Sequence, residues 1–463
     1  MIYKSLLITS LVTSSIISSS FSLELDDLNK QSQDILTLQK VVNISLSNDP
    51  WLLGNQYSQK AIESKSIAAR TYADPKITAG VANLPTDTFD FNQEAMTQLK
   101  IGVSQMFPRG DTLKLKQNKL QLEASQYPYQ REDRKGWLSV KVAQLWLDAY
   151  KAQQSISLIE KDRSLFEQLV DIAESSYSTT IGKTRQQDIV RAQLQLTKLD
   201  DRLTLLEQKK DKSLFGLSQW LYNYSNEEQL NENILKSFDF ILPKKLPQIA
   251  IINSQALDKN NALEMLDSFG NHPSVKNIEQ KIKATAKGIS LAKQKYKPQF
   301  GINTSYAFRD DDARGNNRAD LFSVGFSFDI PIFTKNRQDK ELQAAILKTK
   351  AVKIQKSLQL RKLLSSFETT KANLKRLKDR STLYETKLLP QISEQAEATL
   401  SAYTNDDGSF AEVVRAQIAQ LNAKIDVLNI NVDMQKNIIK LNYFFIKKAD
   451  DIFKNSYIQG NNL

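Results

Sequence analysis

The segment LFSVGFSFDIPIF, residues Leu321–Phe333, alternates between apolar side chains and small or polar ones. One face of the extended chain would carry only apolar residues, namely Phe322, Val324, Phe326, Phe328 and Ile330. A period of two with one wholly apolar face is typical of a β-strand. About ten residues is also the length that a tilted strand needs to cross a bilayer. The segment therefore predicts a strand with one face in contact with lipid.

This strand has a second copy earlier in the chain. The segment Ile101–Pro108 (IGVSQMFP) repeats Val324–Pro331 (VGFSFDIP), and Gly102 matches Gly325 at a distance of 223 positions (325 − 102 = 223). The same offset separates three pairs of prolines: Pro50 and Pro273, Pro75 and Pro298, and Pro108 and Pro331. The sequence Val-Arg-Ala-Gln also occurs twice, at 190–193 and 414–417. Landmarks that recur in the same order at a nearly constant distance predict an internal two-fold repeat.

Each repeat unit is predicted to contain a short helix, two strands, a very long helix, a turn and a second long helix. The first unit covers 23–222, with strands at about 76–84 and 96–107 and helices at about 113–177 and 185–220. The second covers 260–447, with strands at about 299–308 and 321–330 and helices at about 335–402 and 410–446. An irregular connector, 223–259, joins the units, and a tail, 448–463, follows the second. Pro128 is expected to break or kink the first long helix.

The N-terminal residues 1–22 have the organisation of a secretory signal peptide. Lys4 supplies the positive charge, Leu6–Ile17 the apolar core, and Ser20-Phe21-Ser22 the small residues of a cleavage site. An uncleaved membrane anchor is the alternative. No later apolar run reaches the ~20 residues that a transmembrane helix needs. We therefore expect an exported protein that no helix retains in a membrane.

The composition excludes several classes of function. The 463 residues contain no cysteine and one histidine, His272, so neither a thiolate nor a multi-histidine metal site can form within one chain. The formal charge of +11 is spread along polar–apolar segments, which is typical of solvated helix faces and not of a nucleic-acid-binding stripe. No nucleophile–base pair surrounds His272, and the chain lacks a Gly-rich phosphate loop. The sequence therefore predicts no enzyme, no cofactor, no metal site and no nucleic-acid partner.

The number of predicted strands sets the size of the assembly. Every backbone polar group in a bilayer must be paired, so the strands must close into a barrel without edges. The smallest barrels made by one chain have about eight strands, so four cannot close one. Several chains must therefore share a barrel, and two, three or four copies would supply eight, twelve or sixteen strands. The residues expected to face lipid are Phe300, Ile302, Phe322, Val324, Phe326 and Phe328.

The long helices extend the predicted structure along the barrel axis. A helix of about 65 residues would be on the order of 100 Å long, and it must pack laterally against neighbours. On the last helix an apolar residue recurs every three or four positions, at Ile418, Leu421, Ile425, Leu428 and Val432. This spacing favours an antiparallel coiled coil. The expected fold class is thus an α+β membrane protein with four transmembrane β-strands per chain in a shared oligomeric barrel, continued by coiled-coil helices that form a periplasmic tunnel.

A second interpretation is a periplasmic coiled-coil adaptor or structural protein without a membrane barrel. It accounts for the helices. It does not explain why two predicted strands, Phe300–Phe308 and Phe322–Ile330, each have one apolar face over a membrane-spanning length.

Several short motifs, in this order and duplicated, resemble those of the TolC-like outer-membrane efflux proteins. They are Asn48-Asp49-Pro50 and Asn271-His272-Pro273 at helix starts, Met106–Arg109 and Asp329–Phe333 at strand ends, Leu388–Gln391 late in a long helix, and Tyr177–Gln193 and Tyr403–Gln417 around the turns. The resemblance covers nearly the whole mature chain. It implies a homotrimer with a twelve-stranded barrel and a twelve-helix tunnel, which is a passive exit duct in tripartite efflux or type I secretion. It also implies a periplasmic adaptor and an inner-membrane pump as partners.

The resemblance further implies that helix tips close the periplasmic end, in part through acidic residues just after the two turns. Asp188 and Glu412 occupy those positions, and carboxylates from three chains around an axis would form a ring that attracts cations. Arg415 stands where the family most often has a second acidic residue, and Arg191 holds the matching place in the first unit. Since each acidic residue has its arginine at i+3, local salt bridges are an equal alternative.

Loops at the two ends of the molecule have predicted roles as well. The adaptor is expected to dock on the two tip turns, which contain Ile181, Gly182 and Lys183 in the first unit and Asp406, Asp407 and Gly408 in the second. The alternative is that these residues only form tight turns. At the other end, Asn83–Phe89 resembles the outer loop of family members that serve heavy-metal pumps of the RND class. The run Asp310–Asp312 is interpreted as a solvated outer loop and not as a cation site.

Overall fold

The structure is a computed structural model that describes residues 35–178, 186–221, 241–255, 262–405 and 408–446. The predicted signal peptide 1–22 and tail 448–463 lie outside the described residues, as does most of the connector.

Four strands form one antiparallel sheet in the order β1-β2-β3-β4. They are β1 Lys76–Ala82, β2 Gln98–Met106, β3 Gln299–Phe308 and β4 Leu321–Asp329. The two hairpins are joined side by side, because β2 pairs with β3. β1 ends two residues earlier than predicted, since Asn83 adopts a positive φ of 58° and leaves the extended conformation. The Asn83 side chain then donates to the carbonyl oxygen of Met96, 3.0 Å away, across the loop.

The helices are α1 Leu38–Asn48, α2 Pro50–Ala68, α3 Thr112–Ala124, α4 Tyr127–Ser178, α5 Gln186–Leu221, α6 Ala262–Phe269, α7 Pro273–Gln294, α8 Gln338–Leu383, α9 Leu389–Thr404 and α10 Phe410–Tyr443. A π-helical turn, Tyr384–Leu388, joins α8 to α9. Laterally, α4 packs against α5 and α10, and α10 packs against α8 and α9. At 52 residues, α4 is on the order of 80 Å long.

Proline explains both interruptions of the long helices. The helix predicted at about 113–177 is split into α3 and α4 directly before Pro128, as expected. The helix predicted at about 335–402 begins at Gln338 and contains the π-helical turn just before Pro390. Proline has no N–H to donate to a carbonyl one turn earlier, and its ring crowds that carbonyl. A local π-turn in the helix accommodates this defect.

The two Pro-led helices have the caps expected from their sequences. The Asp49 side chain accepts a hydrogen bond from the backbone N–H of Trp51, 3.2 Å away, at the start of α2. His272 plays the same part for α7, where its Nδ1 accepts from the N–H of Ser274 at 3.2 Å. Both interactions satisfy backbone donors that have no partner within the helix.

A large hydrophobic cluster binds α1, α6 and the segment 241–255 to the middle of the long helices. At its centre Trp146 of α4 is fully buried and stacks on Tyr150, with ring centroids 5.6 Å apart. The Trp146 indole N–H donates to the carbonyl oxygen of Leu36 at 2.7 Å. A second cluster, which includes Ile159 and Val413, binds α4, α5 and α10 nearer the helix tips. Tertiary packing of this kind provides most of the stability of long helices.

His272 is buried beside this central cluster. Because its Nδ1 accepts from Ser274, its Nε2 carries the proton and donates to the carbonyl oxygen of Tyr443, 3.2 Å away. Burial lowers the pKa of His272 to about 4. Nearby, Asp133 accepts from the Tyr443 hydroxyl at 2.8 Å, and burial raises the pKa of the Asp133 carboxyl.

We expect the stability of the folded protein to fall as the pH is lowered from about 6.5 to about 4, because the unfolded chain then protonates His272 while the folded chain does not. This contribution is fully present above the unfolded pKa and amounts to on the order of 3 kcal/mol once lost. Unfolding midpoints of detergent-extracted protein between pH 7.5 and 4.5 measure it. In His272→Asn, which keeps a capping side chain, the slope against pH should be smaller. Equal slopes in both proteins would contradict the prediction.

Candidate functional site

One side of the sheet is a largely apolar surface, here called the apolar face, on which Gln105 and Thr304 are the polar members. It is formed by Ile77, Ala79 and Val81 of β1, Leu99, Ile101 and Val103 of β2, Phe300, Ile302, Tyr306 and Phe308 of β3, and Phe322, Val324, Phe326 and Phe328 of β4. All six residues predicted to face lipid lie on it, and the register places Phe300 opposite Phe328 and Ile302 opposite Phe326. Phe326 remains 76% exposed. An exposed apolar patch of this extent marks an interaction surface; that lipid covers it stays a prediction.

The contribution of the first hairpin to the apolar face was not among the predicted site residues. The signal was present in the sequence, since Leu99, Ile101 and Val103 alternate with Lys100 and Gly102. The pairing of β2 with β3, which sequence alone did not provide, brings this alternation into line with that of the second hairpin.

The opposite side of the sheet, here called the polar face, carries small or hydrophilic side chains apart from Met106 and Leu321. Gly102 packs so closely that a Cβ there would lie 2.9 Å from the Thr78 hydroxyl oxygen. Gly325 sits directly against the Asn303 side chain, and Gly301 against Met106 and Ser327. Two faces of such different polarity are what a sheet between lipid and water requires.

Both edges of the sheet are open. In the part of the chain that the structure describes, β1 and β4 each pair on one side only. The flanking apolar residues are exposed there, with Ile77 at 74% and Phe322 at 71%. An unpaired edge of this kind is a template for pairing with another strand.

The base of the sheet is tied to the helices by one arginine. Arg109, just after β2, forms an ion pair with Asp329 at the end of β4 and donates to the carbonyl oxygen of Lys297 at 2.7 Å. Asp329 also accepts from the backbone N–H of Gln299 at 2.7 Å. These contacts fix where β2 and β4 end and where β3 begins, so the helices continue from the sheet in a defined direction.

The outer loops are held together by two arginines. Arg318 donates to the carbonyl oxygen of Glu94 at 3.1 Å, and Arg309 to that of Ala95 at 3.3 Å. Asp312 accepts from the N–H groups of Arg314 and Asn316, each at 2.8 Å, which makes it part of a turn. In the described ranges no group of three or more His, Asp or Glu side chains is placed to hold a metal ion.

The candidate gate residues lie at the starts of α5 and α10. In the first unit the Asp188 and Arg191 side chains are 3.6 Å apart, so the local salt bridge does form. In the second unit the Arg415 Nε donates to the carbonyl oxygen of Ala411 at 3.1 Å, one turn earlier. Glu412 is exposed in the first turn of α10. A gating role for these four residues remains a prediction.

Most of the predicted docking turns lie outside the described residues, namely Ile181, Gly182, Lys183, Asp406 and Asp407. Of that set Gly408 is described, and it directly precedes Ser409, the N-cap position of α10. The following Phe410 is buried against Tyr403, with ring centroids 5.7 Å apart, which holds α9 and α10 together at the turn.

A groove with a volume of about 970 Å³ lies among α4, α5, α8 and α10 and was not predicted from the sequence. Its charged lining is mostly basic: Lys141, Lys151, Arg202, Lys209, Lys212 and Arg380, against Asp148, Asp426 and Asp433. Arg202 crosses it and donates to Asn422 at 2.6 Å. No periodicity identifies such a groove, because its lining comes from four helices.

Within the described residues, no helix combines the length and the apolar character needed to cross a membrane.

Comparisons with known proteins agree with this geometry. Residues 267–443 match the family model described as outer membrane efflux protein. A search of curated protein sequences gives no match. Among solved structures, CusC is 15% identical with a TM-score of 0.68, covering 88% of this chain and 91% of that one. The CmeC outer-membrane channel of Campylobacter jejuni is 13% identical with a TM-score of 0.69, covering 94% of each chain.

The outer-membrane protein VceC of Vibrio cholerae is 11% identical with a TM-score of 0.70, covering 88% of this chain and 96% of that one. At these identities the structural matches show the fold, and the family model adds the family relationship of the second unit. The resemblance predicted from the sequence motifs is thus confirmed, together with an outer-membrane location that extends into the periplasm.

Proposed function

We propose that this chain, a TolC-like outer-membrane efflux protein by its motifs and its fold, is the exit duct of a tripartite efflux or type I secretion system. It conducts substrates passively. The energy comes from an inner-membrane pump, and a periplasmic adaptor joins the pump to the duct. No residue has a catalytic role in this proposal.

The observation that carries the proposal is a four-stranded sheet with one apolar face, two open edges and long helices leading directly from its base. Four strands are too few to close a barrel. Since β1 and β4 run in opposite directions, β4 of one copy can pair antiparallel with β1 of the next. A ring of three copies would give the twelve-stranded barrel and twelve-helix tunnel that the family resemblance implies.

In that ring the apolar face would be turned to lipid and the polar face to the lumen. The long helices would then enclose a periplasmic channel whose tips meet the adaptor at 181–183 and 406–408. The likeness of Asn83–Phe89 to the outer loops of heavy-metal systems makes an RND pump the first partner to test.

The proposal is tested by fractionation and by function together. The protein should be recovered from the outer membrane only with detergent, and it should migrate as an oligomer that dissociates on heating. Its deletion should sensitise the cell to the substrates of whichever pump and adaptor co-purify with it. Recovery as a soluble periplasmic monomer would instead favour the coiled-coil adaptor interpretation.

Removal of the candidate gate charges should open the duct. If copies of Asp188 and Glu412 form rings that close the helix tips around the axis, the double change to alanine removes those rings of charge. We expect single-channel conductance in planar bilayers to rise several-fold. Glu207→Ala, an exposed carboxylate in the middle of α5, is the matched control and should leave conductance unchanged. Unchanged conductance in the double variant would refute a gating role for both residues.

A further inference from the structure

We propose that the open edges, β4 of one copy and β1 of the next, pair in the same register that β2 and β3 use within one chain. The partner is a second copy of this chain, so the inference rests on the proposed shared barrel. It adds the residue pairs themselves: Phe326 faces Val81, Ser327 faces Gly80 and Phe328 faces Ala79 of the neighbouring copy.

The strand boundaries supply the first argument. β2 spans Gln98–Met106 and β4 spans Leu321–Asp329, so both ends of the strand shift by 223 positions (321 − 98 = 223; 329 − 106 = 223). β1 and β3 begin at Lys76 and Gln299, again 223 apart. The pairing of β2 with β3 within one chain thus corresponds to a pairing of β4 with the β1 of another copy.

The register follows from the pairs observed inside the chain. Val103 faces Thr304, and Ser104 faces Asn303. Adding 223 to the β2 residue and subtracting it from the β3 residue gives Phe326 with Val81 and Ser327 with Gly80. By the same rule the next apolar pair beyond the strand end is Ile330 with Ile77.

The apolar face supplies the second, independent argument. In this register the exposed Phe326 and Phe328 meet Val81 and Ala79, which lie on the same face of β1. A shift by one residue would turn the polar face of one copy towards lipid at the junction, since side chains alternate between faces. Odd shifts are therefore excluded.

Backbone chemistry disfavours the two smallest even shifts. The N–H of Phe107 donates to the carbonyl oxygen of Phe300 at 2.8 Å, so the corresponding pair Ile330 and Ile77 should be hydrogen-bonded. In a hydrogen-bonded antiparallel pair each residue also donates its N–H to the other. A shift by two in one direction would place Pro75 at the position of Ile77, and proline has no N–H for that second bond. The opposite shift would place Asn83 opposite Phe326, and Asn83 has already left the strand with its φ of 58°.

Disulfide cross-linking tests the register directly, because the chain contains no cysteine. Ser104 and Asn303 lie an odd number of residues from the hydrogen-bonded pair Phe107 and Phe300, so theirs is a non-hydrogen-bonded pair. The corresponding pair, Ser327 and Gly80, should have Cα atoms about 4.5 Å apart, which a disulfide can span. A side chain at Gly80 meets no atom of its own chain within 4 Å.

The double variant Ser327→Cys, Gly80→Cys should form a covalent trimer when outer membranes are oxidised, and each single variant should remain monomeric on a denaturing gel. Within one chain these two positions lie on opposite edge strands, roughly 14 Å apart across three strand spacings, so they cannot bond to each other. Co-expression of the two single variants should give covalent dimers, which shows that the bond joins different copies.

The matched controls pair Ser327→Cys with Thr78→Cys or with Ala82→Cys, which report the two shifts by two residues. Both should cross-link at least tenfold less than the Gly80 pair. Preferential cross-linking of either control overturns the proposed register, as does a native trimer in which none of the three pairs reacts. A monomeric, detergent-independent protein would instead overturn the proposed function on which the register rests.

Discussion

Replacing Phe326 by arginine is expected to abolish assembly in the outer membrane. Phe326 lies in the middle of β4, is 76% exposed on the apolar face and stands opposite Ile302 of β3. An arginine on the lipid face near the bilayer centre costs about 2–4 kcal/mol. The proposed trimer would carry this cost three times, once in each chain of the shared barrel.

The measurement is the amount of heat-dissociable oligomer in detergent extracts of the outer membrane. Ser323→Arg is the matched control, because Ser323 is an exposed residue of the same strand that lies on the polar face and outside the proposed contact between copies. It should assemble, since the lumen of such a barrel is hydrated. Equal amounts of oligomer from the two variants would show that the apolar face does not contact lipid.

Replacing Trp146 by alanine should produce the largest loss of stability in the periplasmic region. Its side chain is fully buried where α1, α4 and the segment 241–255 meet. Loss of a buried aromatic side chain costs about 3–5 kcal/mol through lost burial and the cavity that remains.

Trp146→Phe separates the contribution of packing from that of the indole hydrogen bond. It keeps much of the packing but leaves the carbonyl oxygen of Leu36 without its donor, which should cost about 1–3 kcal/mol. Chemical unfolding of the extracted protein, followed by tryptophan-independent far-UV circular dichroism, measures both variants. If the alanine variant loses less than about 1 kcal/mol in its free energy of unfolding, Trp146 does not stabilise the central cluster as expected.

The strands were predictable because their signal is local. Phe322–Phe328 alternates along a few residues, and no distant contact is needed to recognise the pattern. The helix caps at Asp49 and His272 were predictable for the same reason, since a capping residue followed by proline acts on its own backbone.

What could not be predicted depends on contacts between distant residues. Gln435 of α10 accepts from the backbone N–H of Ile249 at 2.9 Å, and the Tyr150 hydroxyl donates to the carbonyl oxygen of Lys244 at 3.0 Å. These bonds fix the segment 241–255 on the long helices, yet nothing in its own sequence marks the partner. The π-helical turn before Pro390 is intermediate: the proline is visible in the sequence, but its effect on the helix depends on how the surrounding residues pack.

The candidate site also contains residues that local sequence predicts and residues that depend on distant contacts. The apolar-face residues of the second hairpin were predicted from alternation, whereas those of the first hairpin joined them only through the pairing of β2 with β3. The candidate gate residues came from the family resemblance, and the structure adds the Asp188–Arg191 ion pair.

The central claim is that several copies of this chain share one membrane barrel. Native mass spectrometry of the protein extracted from outer membranes in detergent tests it most directly, by counting the chains in one complex. We expect three mature chains per complex. A single chain, or recovery of the protein in the soluble periplasmic fraction, would contradict it.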